Sequence, residues 1–289
     1  MKNIFKLILF VCICPFFIHA QDTGLSLFDE EPETEYVKNA FKSSRVINGH
    51  SMEMIAKGAL DFRIMHRFGL LNDPYNMFGL DQASMRMSFD YGIMKNLSVG
   101  IGRSTFKKEV DGFVKVRILQ QSTGKKVMPV SVLLVAGTTL IGQKFPDPTR
   151  ENLFTQRMGY YYQAIIGRKF SPRFTLQLTP TVVHRNFVEK IGDPNDTYAL
   201  GIGGRIMLTK RLGIMADYFY SFNRFDGTNT YNPLSFGVDI ETGGHVFQLH
   251  FSNTSGMNER AFIVDTFNRW GKAEIRLGFN LSRMFQLVN

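Results

Sequence analysis

Met85-Arg86-Met87-Ser88-Phe89-Asp90-Tyr91 decides the fold. Its apolar and aromatic residues, Met85, Met87, Phe89 and Tyr91, alternate strictly with Arg86, Ser88 and Asp90. A period of two sends successive side chains to opposite faces of an extended chain, so the segment reads as a strand with one greasy face and one charged face.

The same alternation recurs on both sides of it. Leu60, Phe62 and Ile64 oppose Asp61 and Arg63; Val114, Val116 and Ile118 oppose Lys115 and Arg117. Phe174, Leu176 and Leu178 oppose Thr175, Gln177 and Thr179, and Leu212, Ile214, Ala216 and Tyr218 oppose Gly213 and Asp217. Leu234, Phe236, Val238 and Ile240 oppose Ser235, Gly237, Asp239 and Glu241. The last strand sets Ile275, Leu277, Phe279 and Leu281 against Arg276, Gly278 and Asn280.

A soluble sandwich also alternates, so the surroundings of the strands decide. The apolar faces are uniformly large, and Tyr160, Tyr161, Tyr162, Phe170, Phe174, Tyr218, Phe219 and Tyr220 gather near strand ends like interfacial girdles. The opposite faces carry charge and glycine, which suits a wet lumen better than a dry core. Connections alternate as well. Long ones fall near 69–82, 104–112, 139–157, 187–197, 222–232 and 253–271, with short ones near 92–96, 120–127, 168–172, 209–211 and 242–245. The expectation is an all-β fold: a closed antiparallel transmembrane β-barrel of about twelve strands, with short periplasmic turns and long extracellular loops.

Lys2 and Lys6 precede an apolar run from Leu7 to Ile18 that is too short to span a bilayer as a helix. Residues 1–20 therefore read as an export signal cut after Ala20, residues 21–52 as a polar periplasmic arm and 53–289 as the barrel. The arm opens with Asp29, Glu30, Glu31, Glu33 and Glu35. It is read as a mobile arm; the alternative is a short helix or plug whose acidic part enters a basic lumen. Both cysteines, Cys12 and Cys14, fall inside the leader, so disulfides and thiolate metal sites play no part beyond it. The six histidines lack ligand spacing, and no metal or cofactor is expected. The formal charge of +9 is spread along the chain without a stripe, which points away from nucleic acid. Outer-membrane lipid and lipopolysaccharide phosphates suit it better, with a periplasmic or lipoprotein partner as a further possibility.

At His66-Arg67-Phe68-Gly69, Phe78-Gly79-Leu80-Asp81, the run from Asp111 to Gln121, and Gly278 to Arg283, the chain resembles a family of outer-membrane β-barrels of unassigned function from Gram-negative bacteria. The resemblance implies a cell outer membrane location and carries no catalytic role. It also implies a terminal aromatic assembly signal, for which Phe285 is the nearest residue.

Two sets of side chains are candidates for function. Arg63, Arg86, Asp90, Lys115, Arg117, Arg205, Asp217, Asp239, Glu241 and Arg276 point to the lumen by the period of two. They serve either as a selective lining for a small solute or as pairs that close a narrow barrel. His250 and Ser252 are two apart on a strand and share a face, so an imidazole there could deprotonate a hydroxyl. That segment is similar to the His-x-Ser-Asn pattern of outer-membrane phospholipases and lipid A deacylases, with Asp265 or Glu259 as possible orienting carboxylates. Phe247, Leu249 and Phe251 on the apolar face turn both residues inward, away from acyl chains. The adopted reading is a non-enzymatic passage or scaffold, with lipid ester hydrolysis as the alternative. His66-Arg67 reads as a hydrogen-bonding pair at the barrel rim.

Overall fold

A computed structural model describes residues 33–144, 151–188, 192–224 and 229–288; the leader and Asp29, Glu30 and Glu31 lie outside them. Twelve strands follow one another: β1 Ala59–Leu70, β2 Ala83–Met94, β3 Leu97–Ser104, β4 Val110–Leu119, β5 Ser131–Leu140, β6 Met158–Lys169, β7 Phe174–Arg185, β8 Asp196–Met207, β9 Leu212–Ser221, β10 Leu234–Thr242, β11 His245–Ser252 and β12 Arg276–Gln286. Each pairs antiparallel with the next, and β12 returns to β1 in the register Leu281↔Ile64 and Ser282↔Arg63. Closure leaves no sheet edge, which a hydrocarbon surround demands because it offers no partner to a free N–H or C=O.

The sequence period sets the two faces. On β2, Met87 and Phe89 are exposed on the outside, whereas Arg86, Ser88 and Asp90 are buried within. The connections separate into a loop end and a turn end, as expected. The connection between β3 and β4 is shorter than read, residues 105–109, because Arg103 and Val110 already pair. The turn-end connection 120–130 is longer, because its Ser122–Thr123 pairs with Glu35–Tyr36 of the arm.

Three expectations need correction. Tyr161 and Phe219 do not join a girdle: they are 0% and 3% exposed and point inward. In a run of three aromatics the middle one must face away from its neighbours. Gly137 opposite leaves room for the Tyr161 ring, since a Cβ there would lie 2.2 Å from it. The lumen is also not wet throughout. Leu133, Val135, Ile165, Val183 and Met215 on β5 to β9 form an apolar inner wall.

The largest correction concerns the arm. Residues 40–52 are almost wholly buried inside the barrel. Phe41, Val46, Ile47 and Met52 pack on the apolar wall just described. The segment rises from the turn end as a hairpin, closed by Val46 N–H donating to Gly49 O at 2.9 Å and by an Arg45–His50 bridge. It then descends past Gly92, where a Cβ would meet Ala56 O at 2.1 Å, and enters β1 at Ala59 rather than at residue 53. Residues 40–56 are a plug. It is neither helical nor acidic, and Glu33 and Glu35 stay outside the lumen.

Candidate functional site: a lumen sealed from both ends

The plug is tied to the wall by side chains that the period of two aimed inward. At its tip, the backbone N–H groups of Ile47, Asn48 and Gly49 donate to one oxygen of Asp217 at 3.3, 2.7 and 3.1 Å. Asn48 Nδ2 donates to Ser235 Oγ at 2.7 Å, and its Oδ1 accepts from Arg67 at 2.9 Å. Lys115 Nζ donates to the carbonyls of Ser51 and Glu53 at 2.7 and 2.6 Å. Arg63 donates to Ser43 Oγ at 2.6 Å and Ser44 Oγ at 2.9 Å. Lys42 forms an ion pair with Glu241. A buried backbone group without a partner costs about 1–3 kcal/mol, so these contacts replace the ladder that the irregular hairpin lacks.

Of the remaining predicted lumen residues, two arginines grip carboxylates of the wall and two reach backbone carbonyls at the barrel ends. Arg86 grips Asp111 in a two-pronged pair at 2.9 and 2.5 Å, and Arg205 grips Asp239 at 2.7 and 3.0 Å. Arg117 donates to Lys95 O at 2.8 Å at the turn end, and Arg276 to Phe68 O at 3.1 Å near the loop end. Asp90 sits opposite Asp61, and neither of its oxygens has a hydrogen-bond partner among the described residues.

From the loop end, the connection between β11 and β12 folds back into the barrel and carries the short helix α1, Glu259–Val264. All six of its residues are buried, and Asn258 caps it by accepting from Ala261 N–H. Arg260 holds Glu109 through two bonds of 2.6 and 2.9 Å and Asp265 through one of 2.7 Å. Burial alone would raise the Asp265 pKa, yet Arg260 and Lys107 hold it at about 2. Glu259 accepts from Arg45 at 2.9 Å, so the cover and the plug meet.

The candidate dyad is not assembled. Ser252 Oγ accepts from Ser235 Oγ at 2.7 Å and from Thr254 N–H at 3.2 Å. Neither His250 nitrogen has a hydrogen-bond partner among the described residues, and both residues are 0% exposed. Asp265 and Glu259 are engaged elsewhere. The expected rim pair is joined through the backbone alone: Arg67 donates to the His66 carbonyl at 3.0 Å, but the His66 ring faces outward, stacked on Phe279 at 4.9 Å, while the Arg67 guanidinium also reaches Asn48 in the lumen. Adjacent residues on a strand cannot share a face.

Sequence reasoning missed Arg67, Asp111, Gln248, Glu109 and Arg260 as members of this network. For Gln248, the signal was available: it lies on the inward face of β11 with His250 and Ser252.

His50, on the plug, lies with its Nε2 3.4 Å from a Glu259 carboxylate oxygen, and its surroundings set how insertion should respond to pH. Burial first, then Arg45, Lys115, Arg86 and Arg63, hold the His50 pKa well below its ordinary 6.5. A withdrawn hairpin would titrate near 6.5, so this contribution to insertion is complete above that pH and falls away as pH drops below it. Glu53 works the other way, because burial raises its pKa above the ordinary carboxylate value. Thiol labelling of Ser51→Cys, with no other cysteine after Cys14, reads hairpin exposure. Measured against an exposed control thiol at the same pH, that labelling should accelerate between pH 7 and 5, and replacing His50 by Gln should reduce the acceleration.

Comparison with a family model agrees with this architecture. The family model described as a membrane bound beta barrel domain (DUF5777) matches residues 41–285. Among solved structures, the NanC porin is similar at 9% identity and a TM-score of 0.49, with 78% of this chain and 98% of that one covered. The KdgM porin is similar at 9% identity and a TM-score of 0.45, covering 78% and 99%. Omp33 of Acinetobacter baumannii gives 9% identity and a TM-score of 0.42, covering 79% and 99%. No curated protein matches the chain in sequence.

Proposed function

The chain belongs to the membrane-bound β-barrel domain family (DUF5777), and from that premise we propose that it is a narrow, non-enzymatic passage of the Gram-negative outer membrane. It is closed at rest by residues 40–56 and opened when that hairpin withdraws toward the periplasm. One observation carries the reading: the hairpin fills the lumen, yet polar side chains of a charged wall hold it there. A permanent filler gains little from buried ions, because desolvation offsets most of the attraction of a buried pair. A wall carrying Arg63, Arg67, Arg86, Lys115 and Asp217 is suited to being vacated and wetted.

Two features support withdrawal over rupture of the barrel. Both ends of the hairpin leave at the turn end, so it can retract without threading a strand. The family match begins at residue 41, which makes the hairpin part of the shared domain. The arm outside the lumen, with Glu33, Glu35 and the exposed Tyr36, is where a periplasmic or lipoprotein partner would take hold. Lipid and lipopolysaccharide would meet the barrel's outer face.

The test is a tether across the tip. Asn48→Cys with Ser235→Cys, bridged by a short bis-methanethiosulfonate that forms a disulfide at each cysteine and releases methanesulfinate, fixes the hairpin to β10. In planar bilayers, the unbridged protein should show brief conductance steps that vanish on bridging and return on reduction of a cleavable bridge. An unbridged protein without steps, or steps that persist when bridged, would overturn the passage and leave a closed scaffold.

A further inference from the structure

A vestibule of about 340 Å³ opens at the loop end, above the inward-folded connection. Its charged lining is Lys107, Arg185, Asp193, Arg224, Arg260 and Asp265, and its apolar lining includes Ile141 and Phe267. This volume lies at the small end of ligand sites. The vestibule is complete while the lumen is closed, so nothing said of it depends on the hairpin moving.

The cations in the lining are unequal. Lys107 and Arg260 already share Asp265, and Arg260 also holds Glu109. Arg224 has only neutral partners among the described residues: its NH2 donates to Ser221 Oγ at 3.1 Å, Asn232 Oδ1 at 3.1 Å and the Ile263 carbonyl at 3.3 Å. No described carboxylate lies within ion-pair distance of it. Three acceptors converge on one nitrogen and fix the guanidinium, and no described carboxylate balances its half-buried charge. Nη1 and Nε have no hydrogen-bond partner among the described residues, and a carboxylate oxygen suits such a fixed, planar donor.

The rest of the lining limits what else the ligand carries. Ile263 reaches Arg224 through its carbonyl alone, its side chain being turned into the core, whereas Ile141 is partly exposed and Phe267 has half of its surface exposed. An exposed aromatic and an aliphatic side chain in one vestibule with a cation that has no described carboxylate partner fit an anion with an apolar body. We propose that the vestibule binds a small organic monocarboxylate, its carboxylate on Arg224 and its apolar part against Ile141 and Phe267.

Calorimetry on the full-length protein in detergent, with benzoate as probe, tests this. Benzoate should bind saturably, and Arg224→Gln should weaken it at least tenfold. Arg211→Gln, at the opposite end of the barrel, should leave it unchanged. Benzyl alcohol, which keeps the ring and lacks the charge, should bind at least tenfold more weakly than benzoate. Several results would sink the assignment: no saturable benzoate heat, equal affinity for benzyl alcohol, or inorganic phosphate binding as tightly as benzoate. Unchanged affinity in Arg224→Gln would do so too. Arg224→Lys keeps a charge and loses the fork, so a correctly folded variant should fall between Gln and the unaltered protein.

Discussion

A chain lacking residues 40–55 should conduct continuously where the intact barrel opens only in brief steps. The deletion removes the filler and leaves the pairing of all twelve strands untouched, because no residue of the hairpin belongs to the barrel ladder. What it exposes is a wall able to accept water over much of its circumference, with Arg63, Arg86, Lys115, Asp217 and Asp239 regaining hydration. The cover loses its Arg45–Glu259 contact but keeps Arg260 on Glu109. Conductance of the deletion should therefore be large but noisy. Replacing residues 257–265 with a Gly-Ser linker as well should make it quiet and larger. In liposome swelling, uptake of a small sugar should rise clearly over the intact protein, since barrel diameter and strand number set the width of the unplugged lumen. If the doubly altered barrel folds, shifts on heating as the intact one does, and still passes no current, the lumen is not a passage.

The wall of this barrel was legible because a strand repeats every two residues, and each repeat states the same fact again. Arg86, Asp90, Lys115, Arg205, Asp217 and Asp239 were all placed inward on that ground, and all are buried there. The plug was not legible for the converse reason. From Ala40 to Ala56 the residues follow neither a period of two nor one of 3.6, and the groups that satisfy their backbone lie far away in sequence. Asp217 meets Asn48 across 169 positions, and Asn280 meets Ile47 across 233. A local reading sees a polar stretch with a few apolar residues, which describes a solvated arm equally well. Tyr161 and Phe219 failed differently. They were sorted by residue type, as girdle aromatics, when the parity of their neighbours Tyr160, Tyr162, Tyr218 and Tyr220 already placed them inside. Helix α1 is too short for periodicity to show, and only Asn258 ahead of Glu259 marks its start.

Removing the Asp217 carboxylate should loosen the plug more than any other single change to the wall. Its two oxygens take three backbone N–H groups and the Asn48 amide, all at the hairpin tip. In Asp217→Ala those donors stay buried with nothing to meet unless water enters. Losing hydrogen bonds to a charged acceptor costs roughly 1.5–3 kcal/mol each, and water admitted to the gap recovers part of that. A net loss of about 3 kcal/mol corresponds to a rise of about 100-fold in the fraction of withdrawn hairpin. Labelling of Ser51→Cys should accelerate by that factor, and conductance steps should become correspondingly frequent. Asp217→Asn keeps one carbonyl oxygen for the backbone donors and loses the charge, so it should fall between the two. The comparison separates a local latch from general damage, since a barrel weakened as a whole would respond to both changes alike and would also melt earlier. Labelling of Asp217→Ala at the unaltered rate would mean that the apolar contacts of Phe41, Ile47 and Met52 hold the hairpin by themselves.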